Sequence, residues 1–150
     1  FDKVVACGGS WMAKDDLIGA GSFDKIEELT RAAVQKMLGF ELMHVGINCD
    51  TEQRALDVAR RFSALFGWPV KDGASSAFAG GWVEAVKSPY LGSMGHIAVG
   101  CNSVASAQAY LEGQGFVFLT ESAKFKAGKM VAIYLKEEIG SFAIHLLQKP

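Results

Sequence analysis

The two stretches His44-Val45-Gly46-Ile47-Asn48-Cys49 and His96-Ile97-Ala98-Val99-Gly100-Cys101 decide the fold, because they repeat one pattern. Their spacing is about fifty residues, the size of one supersecondary unit. In each stretch a small or polar residue alternates with a branched or apolar one, which is typical of a strand with two different faces. A polar cap and an amphipathic run follow each stretch and predict a helix. The chain therefore contains two copies of one unit.

Each copy is predicted to consist of a strand, a helix and three further strands, βαβββ. In the first copy Asp50 and Gln53 form a capping pair for the helix, and Gly67 ends it. The lysines around Gly128 predict a hairpin turn in the second copy. The predicted elements of the first copy are a strand at 40–49, a helix at 50–65 and short strands between 70 and 87. Those of the second copy are a strand at 96–101, a helix at 104–112 and strands near 116–119, 131–136 and 142–147.

The first 39 residues carry a different pattern. A strand is predicted over Lys3 to Cys7, and it leads into a Gly-Gly-Ser-Trp-Met segment at 8–12. A helix is predicted from Asp24 to Leu38, because apolar residues recur at helical spacing. Asp24 and Glu27 are its expected capping pair, and Gly39 is its expected stop. Since the chain starts inside an apolar run without an initiator methionine, we expect a longer parent protein.

Composition narrows the class of partner. The chain has 15 basic and 16 acidic residues and a net charge of −1, with both signs mixed along its length. A surface for nucleic acid or for an anionic membrane needs a basic patch, so small molecules or proteins are the expected partners. The three cysteines form no CxxC and cannot all pair. With no signal peptide and no span of about 18 apolar residues, this predicts a cytoplasmic protein.

The parity of the strands predicts a cavity lined by potential ligands. His44 shares its strand face with Gly46, and His96 shares its face with Ala98, so each histidine has room. The branched neighbours on the other face are expected to pack under the helices. In two further strands one polar residue again lies between apolar neighbours. The four residues that this parity brings to one trough are His44, Glu84, His96 and His145.

Three imidazoles and one carboxylate suit a divalent ion such as Zn, Ni, Co, Mn or Fe. Two positions of an octahedron would then remain for a ligand with adjacent oxygens, which the ion would polarise as a Lewis acid. Tyr134 and Lys136 are predicted to share the cavity face and to bind the same substrate oxygens, since Ile133 and Leu135 suit the other face. The alternative is a polar lining without metal, because buried strand histidines are often structural.

The segments 43–47, 83–86, 95–99 and 143–148 resemble the vicinal oxygen chelate superfamily, which includes glyoxalase I, extradiol dioxygenases and bleomycin-resistance proteins. The resemblance implies an α+β fold in which two βαβββ modules form a curved mixed sheet. It also implies that His44, Glu84, His96 and His145 are metal ligands. The family more often has Glu where this chain has His145, and in glyoxalase I that Glu is the proton-transfer base. His145 and Tyr134 are therefore the candidates for a catalytic role.

The segments 4–12 and 20–26 resemble the end of the 2-keto-3-deoxy-6-phosphogluconate and 4-hydroxy-2-oxoglutarate aldolases. In that family the backbone of the segment matching Gly8, Gly9 and Ser10 helps to hold the substrate phosphate. Residues 1–39 would then be the remnant of an aldolase barrel, with its last strand, Gly-Gly-Ser loop and final helix. Residues 40–150 would be a chelate-fold domain fused to it. The Schiff-base lysine belongs to earlier strands, so this chain alone should not be an aldolase.

Two functions are consistent with these patterns. The first is a metal-dependent lyase or isomerase that acts on a small 2-oxo or 2-hydroxy acid. The second is a non-catalytic module that binds a metabolite or oligomerises the aldolase, since a fold does not fix a function. A homodimer or larger homo-oligomer is expected in either case, because twisted sheets of this kind leave apolar surface exposed.

Overall fold

A computed structural model describes residues 8–150, and the chain divides into two compact units at Met37 and Leu38. The predicted strand at Lys3 to Cys7 lies outside the described residues. Every helix from residue 8 onward is too short or too polar to span a membrane.

The first unit is helical in its described part. It contains a 3-10 turn at Ser10–Met12, helix α1 at Asp15–Gly19 and helix α2 at Phe23–Leu38, of which α1 was not predicted. Since α2 begins at Phe23, Asp24 lies inside its first turn and is not the cap. Glu27 pairs with Arg31 one turn later. Gly39 follows α2 with a φ of +63°, the left-handed conformation in which helices commonly end.

The apolar side of α2 is only partly covered within the described residues of this unit. Leu38 is the only buried residue of the helix, and Met37 is 55% exposed. Gly8, Gly9 and Trp11 line a mostly apolar hollow of about 700 Å³ together with residues of α2. The helix therefore presents apolar surface that these residues do not fill.

The second unit is built on one eight-stranded sheet. Its first half contains β1 (Glu41–Asn48), α3 (Glu52–Phe66), β2 (Val70–Asp72), β3 (Ser76–Ala79) and β4 (Val83–Val86). Its second half contains β5 (Gly95–Cys101), α4 (Val104–Gly113), β6 (Phe118–Lys126), β7 (Lys129–Ile139) and β8 (Phe142–Gln148). Both halves follow the order βαβββ, which confirms the predicted α+β fold.

The sheet places the two halves side by side with equivalent strands in the centre. The strand order is β2-β3-β4-β1-β5-β8-β7-β6. The central strands β1 and β5 are antiparallel, whereas β1 pairs with β4 and β5 pairs with β8 in parallel. The strands predicted to carry the site, β4, β1, β5 and β8, are therefore four neighbours in the middle of the sheet.

Capping residues fix the starts of the two sheet-covering helices. The Thr51 hydroxyl accepts a hydrogen bond from the Arg54 backbone N–H at 3.2 Å, so Thr51 is the N-cap of α3 and the prediction of Asp50 is wrong. Gln53 bonds to Asp57 on the next turn. Gly67 ends α3 with a φ of +69°, as predicted.

The apolar core lies between the helices and one face of the sheet. Cys49 packs with Ala55 of α3 and Ala85 of β4, and these residues are almost fully buried. Cys101 is also buried, and both described cysteines are free thiols that pack as small apolar side chains. Because this face packs under the helices, the opposite face of the central strands is left for the polar residues.

Candidate metal-binding site

Small residues opposite the histidines leave space for the imidazole rings. Gly46 on β1 lies opposite His96 on β5. Ala98 on β5 lies between His44 on one side and His145 on the other. A Cβ added at Gly46 would lie 2.1 Å from His96 Cε1, so the His96 ring occupies the space above this glycine.

Three potential ligand atoms form a triangle with equal edges. His44 Nε2 lies 3.1 Å from His96 Nε2. Glu84 Oε2 lies 3.1 Å from each of these two nitrogens. The side chains come from β1, β5 and β4, so the triangle depends on the pairing of three strands.

Hydrogen bonds keep Glu84 in its carboxylate form. Burial alone would raise the pKa of Glu84, but hydrogen bonds from His44, His96 and Ser76 outweigh it and hold the pKa well below its ordinary value. Ser76 lies on the neighbouring strand β3 and is itself buried. Glu84 therefore offers a negatively charged oxygen to the site at neutral pH.

His145 is buried beside this triangle, and no hydrogen bond satisfies it. His145 is only 6% exposed, and neither of its ring nitrogens has a hydrogen-bond partner among the described residues. Burial, together with smaller contributions from neighbouring His96 and His44, lowers the pKa of His145 to about 3. The ring is therefore neutral at physiological pH, the form in which imidazole binds metals. A buried polar group without a hydrogen-bond partner destabilises the folded state, and binding of an ion to His145 would remove part of this cost.

The three imidazoles are close enough to converge on one ion. One nitrogen from each of His44, His96 and His145 lies within 4.8 Å of the others. Two nitrogens on one Zn²⁺ can be at most about 4.2 Å apart, twice the metal–nitrogen bond length. The widest pair would therefore have to approach by about half an ångström, which side-chain rotation can supply.

Tyr134 covers one side of His145. The two rings are stacked with centroids 4.6 Å apart and planes 15° apart. Burial, together with a smaller contribution from the negative charge of Glu84, raises the pKa of Tyr134 to about 12. The phenol therefore stays protonated at neutral pH, where it can donate a hydrogen bond but cannot serve as a base.

These side chains line a cavity of about 410 Å³. The structure brings together the five residues that strand alternation predicts for one cavity, His44, Glu84, His96, Tyr134 and His145. Lys87 and the hydroxyl-bearing residues of the rim follow no strand alternation, so the sequence pattern does not indicate them. The lining consists of His44, Ala74, Ser75, Glu84, Val86, Lys87, Ser88, Tyr90, His96, Tyr134 and His145.

Lys136 does not line this cavity, so its predicted place beside Tyr134 is wrong. Its side chain is exposed and borders a separate hollow with Gly115, Val117 and Glu137. The pairing of β7 with β8 shifts register between Tyr134 and Glu138. Because such an irregularity interrupts regular alternation, two positions that share parity in the sequence do not share one cavity.

Comparisons with known proteins identify the fold. No protein-family model matches the sequence, and no curated protein matches it either. Among solved structures, the chain is similar to a methylmalonyl-CoA epimerase, with a TM-score of 0.52 and 16% identity over 73% of this chain and 94% of that one. It is also similar to the methylmalonyl-CoA epimerase from Mycobacterium tuberculosis, with a TM-score of 0.51 and 15% identity over 76% and 90%.

The chain is also similar in structure to a hypothetical protein from Bacillus halodurans, with a TM-score of 0.51 and 16% identity over 74% of this chain and 95% of that one. Identities this low show the fold alone. The eight-stranded sheet and these likenesses assign the vicinal oxygen chelate, or glyoxalase-like, fold.

Proposed function

We propose that the second unit is a divalent-metal-binding domain that takes a small 2-oxo or 2-hydroxy acid as a chelating ligand. The triangle formed by His44 Nε2, His96 Nε2 and Glu84 Oε2, with edges of 3.1 Å, is the observation that supports it most directly. Ligands bound at about 2.1 Å are separated by about 3.0 Å in an octahedron and about 3.4 Å in a tetrahedron. The triangle lies between these two values.

The donor set fits such an ion. His44, His96 and His145 would supply neutral nitrogens and Glu84 a negative oxygen, which suits Zn, Ni, Co, Mn or Fe. An ion would also give His145 the partner that its buried nitrogens lack. When bound, it would act as a Lewis acid toward adjacent oxygens of the acid.

The protein's own side chains would hold and orient that acid. Tyr134 keeps its proton and can donate a hydrogen bond to a ligand oxygen next to His145. Phe78 packs edge-on against His44, with ring centroids 5.7 Å apart, and fixes the orientation of that imidazole. The cavity of about 410 Å³ is of the size that small-molecule sites have.

The second candidate function is a non-catalytic binding or oligomerisation module. The metal position at which glyoxalase I has its proton-transfer Glu is His145 in this chain, and Tyr134 keeps its proton at neutral pH and so cannot accept one. Among residues 8–150, Glu84 is the one carboxylate that lines the cavity, and the imidazoles there are those of the proposed ligands His44, His96 and His145. This arrangement favours binding over proton abstraction, and it leaves His145 and Tyr134 as catalytic candidates only when His145 is free of metal.

We also propose that this domain is fused to an aldolase of the 2-keto-3-deoxy-6-phosphogluconate and 4-hydroxy-2-oxoglutarate type, to which residues 1–39 would belong. The partly covered apolar side of α2 supports this, since the final helix of a barrel packs on other barrel elements. Phosphate binding by Gly8, Gly9 and Ser10 would require those elements. A homodimer or larger assembly of the chain belongs to the same proposal.

Metal content tests the proposed site first. Tag-free protein is incubated with mixed divalent ions, desalted and assayed by inductively coupled plasma mass spectrometry. We expect about one ion per chain, and loss of that ion in a His44→Ala, His96→Ala double variant. A Glu112→Gln variant, which removes an exposed carboxylate from α4, serves as the control and should keep its metal. Equal occupancy in the double variant, or a folded protein that takes up no ion, would overturn the proposal.

A further inference from the structure

Lys87 is the only lysine or arginine among the described residues that line the cavity, and two carboxylates already bind it. Its Nζ lies 2.5 Å from Glu52 and 2.8 Å from Asp72. The Lys87 side chain is 11% exposed, whereas those of Glu52 and Asp72 are 67% and 51% exposed. The ammonium is therefore enclosed while its two acidic partners face the solvent.

The net charge of this cluster disfavours a ligand that carries a second anionic group, apart from its chelating end. One ammonium and two carboxylates sum to −1. A phosphate or second carboxylate that approached Lys87 would be repelled by Glu52 and Asp72 and would compete with them for the ammonium. That competition is unfavourable, because each carboxylate holds the ammonium by a charge-assisted hydrogen bond.

The rest of the rim is uncharged and rich in hydroxyl groups. Ser75, Ser88 and Tyr90 line the cavity and are exposed. The Lys87 backbone N–H donates to the Ser75 carbonyl at 2.9 Å, which joins the two rim segments. Tyr90 packs edge-on against Tyr134, with centroids 5.9 Å apart, and thus connects the rim to the proposed metal site. Hydroxyls both donate and accept hydrogen bonds, so they match a hydroxylated, uncharged ligand.

We infer that the site selects acids whose only negative group is the chelating end and whose remainder carries hydroxyl groups without charge. The inference rests on the proposed metal-chelate function and names its substrate class. Glu52 and Asp72 are the specificity-determining residues, because they occupy the one cation that could otherwise bind a phosphate or a distal carboxylate.

Two acids that differ only by a phosphate test the inference. Protein loaded with Ni²⁺, with loading confirmed beforehand by metal analysis, is titrated calorimetrically with gluconate and with 6-phosphogluconate. We expect gluconate to bind at least about tenfold more tightly. In a Glu52→Gln, Asp72→Asn double variant, Lys87 is freed, so 6-phosphogluconate should gain at least about tenfold while gluconate changes by less than about threefold.

An Asp57→Asn, Glu121→Gln double variant removes the same charge away from the cavity and should keep the wild-type preference. Equal or tighter binding of 6-phosphogluconate by the wild-type protein would overturn the inference. So would an unchanged preference in the Glu52→Gln, Asp72→Asn variant. Two other outcomes would overturn the proposed function itself. One is a protein that takes up no metal in the preceding metal analysis, and the other is a metal-loaded protein that binds neither acid.

Discussion

Replacing Gly46 by alanine tests the geometry of the site through a residue that has no polar group. The added Cβ would lie 2.1 Å from His96 Cε1, 2.3 Å from Nδ1 and 2.5 Å from Nε2. Ordinary contacts between such atoms are about 3.5 Å, so the imidazole must retreat by about 1.4 Å. The backbone of Gly46 is not in the left-handed region, and alanine can adopt its conformation.

A movement of that size removes His96 from the ligand set, because a metal–nitrogen bond is only about 2.0–2.1 Å long. Loss of a residue that only supports a ligand lowers metal affinity by about 10- to 100-fold. Because His96 is itself a proposed ligand, we expect the metal affinity of Gly46→Ala to fall by at least about 100-fold. The free energy of unfolding of the metal-free protein should fall by about 1–3 kcal/mol, as is usual for an overpacked position. Calorimetric metal titration measures the first quantity, and urea unfolding in the presence of a chelator measures the second.

Gly81→Ala is the matched control, since a Cβ there meets nothing within 4 Å. It should leave metal affinity unchanged. Wild-type affinity in Gly46→Ala would refute the reasoning, because it would mean that His96 either yields without cost or does not bind the ion. A drop of the same size in both variants would refute it too, by tracing the effect to glycine replacement in general.

Two further predictions concern stability. The folded-state pKa of His145 is lowered from 6.5 to about 3, so the unfolded chain takes up the proton first, and metal-free protein should lose about 2 kcal/mol between pH 7 and pH 5. His145→Leu should lose about 2 kcal/mol less over this interval in urea unfolding, and an equal loss in both proteins would contradict the assignment. Thr51→Ala should cost about 1 kcal/mol as a lost N-cap, and Asp50→Ala less than about half of that. A larger loss of stability in Asp50→Ala than in Thr51→Ala would instead support Asp50 as the helix cap.

The sequence predicts the central strands well because alternation is a local property. His44 and His96 stand at matching positions of two copies, so strand parity places them on one face without knowledge of the partners. The edge strand β6 was predicted too short, since its residues after Leu119 are mostly polar and exposed and carry no apolar alternation. Thr51 was missed as a cap because Asp50 beside it is an equally good capping residue in sequence terms.

The register between neighbouring strands cannot be predicted from a local sequence pattern. That Gly46 lies opposite His96, and that Ser76 bonds to Glu84, follows from pairings between distant segments. The misplacement of Lys136 has the same origin, because a register shift next to Tyr134 depends on how β7 meets β8. The ion pairs of Lys87 were also invisible, since they join a helix start and a separate strand end.

The division of the four candidate ligands between the two copies has a structural consequence. His44 and Glu84 belong to the first copy, and His96 and His145 belong to the second. Neither copy alone offers more than two ligands, and only the β1–β5 pairing brings the two sets together. A bound ion would thus link the two copies across the β1–β5 pairing. Metal binding would therefore require that the two copies remain associated. A protein nicked in the segment between β4 and β5 should then hold together in the presence of metal and separate more readily in its absence.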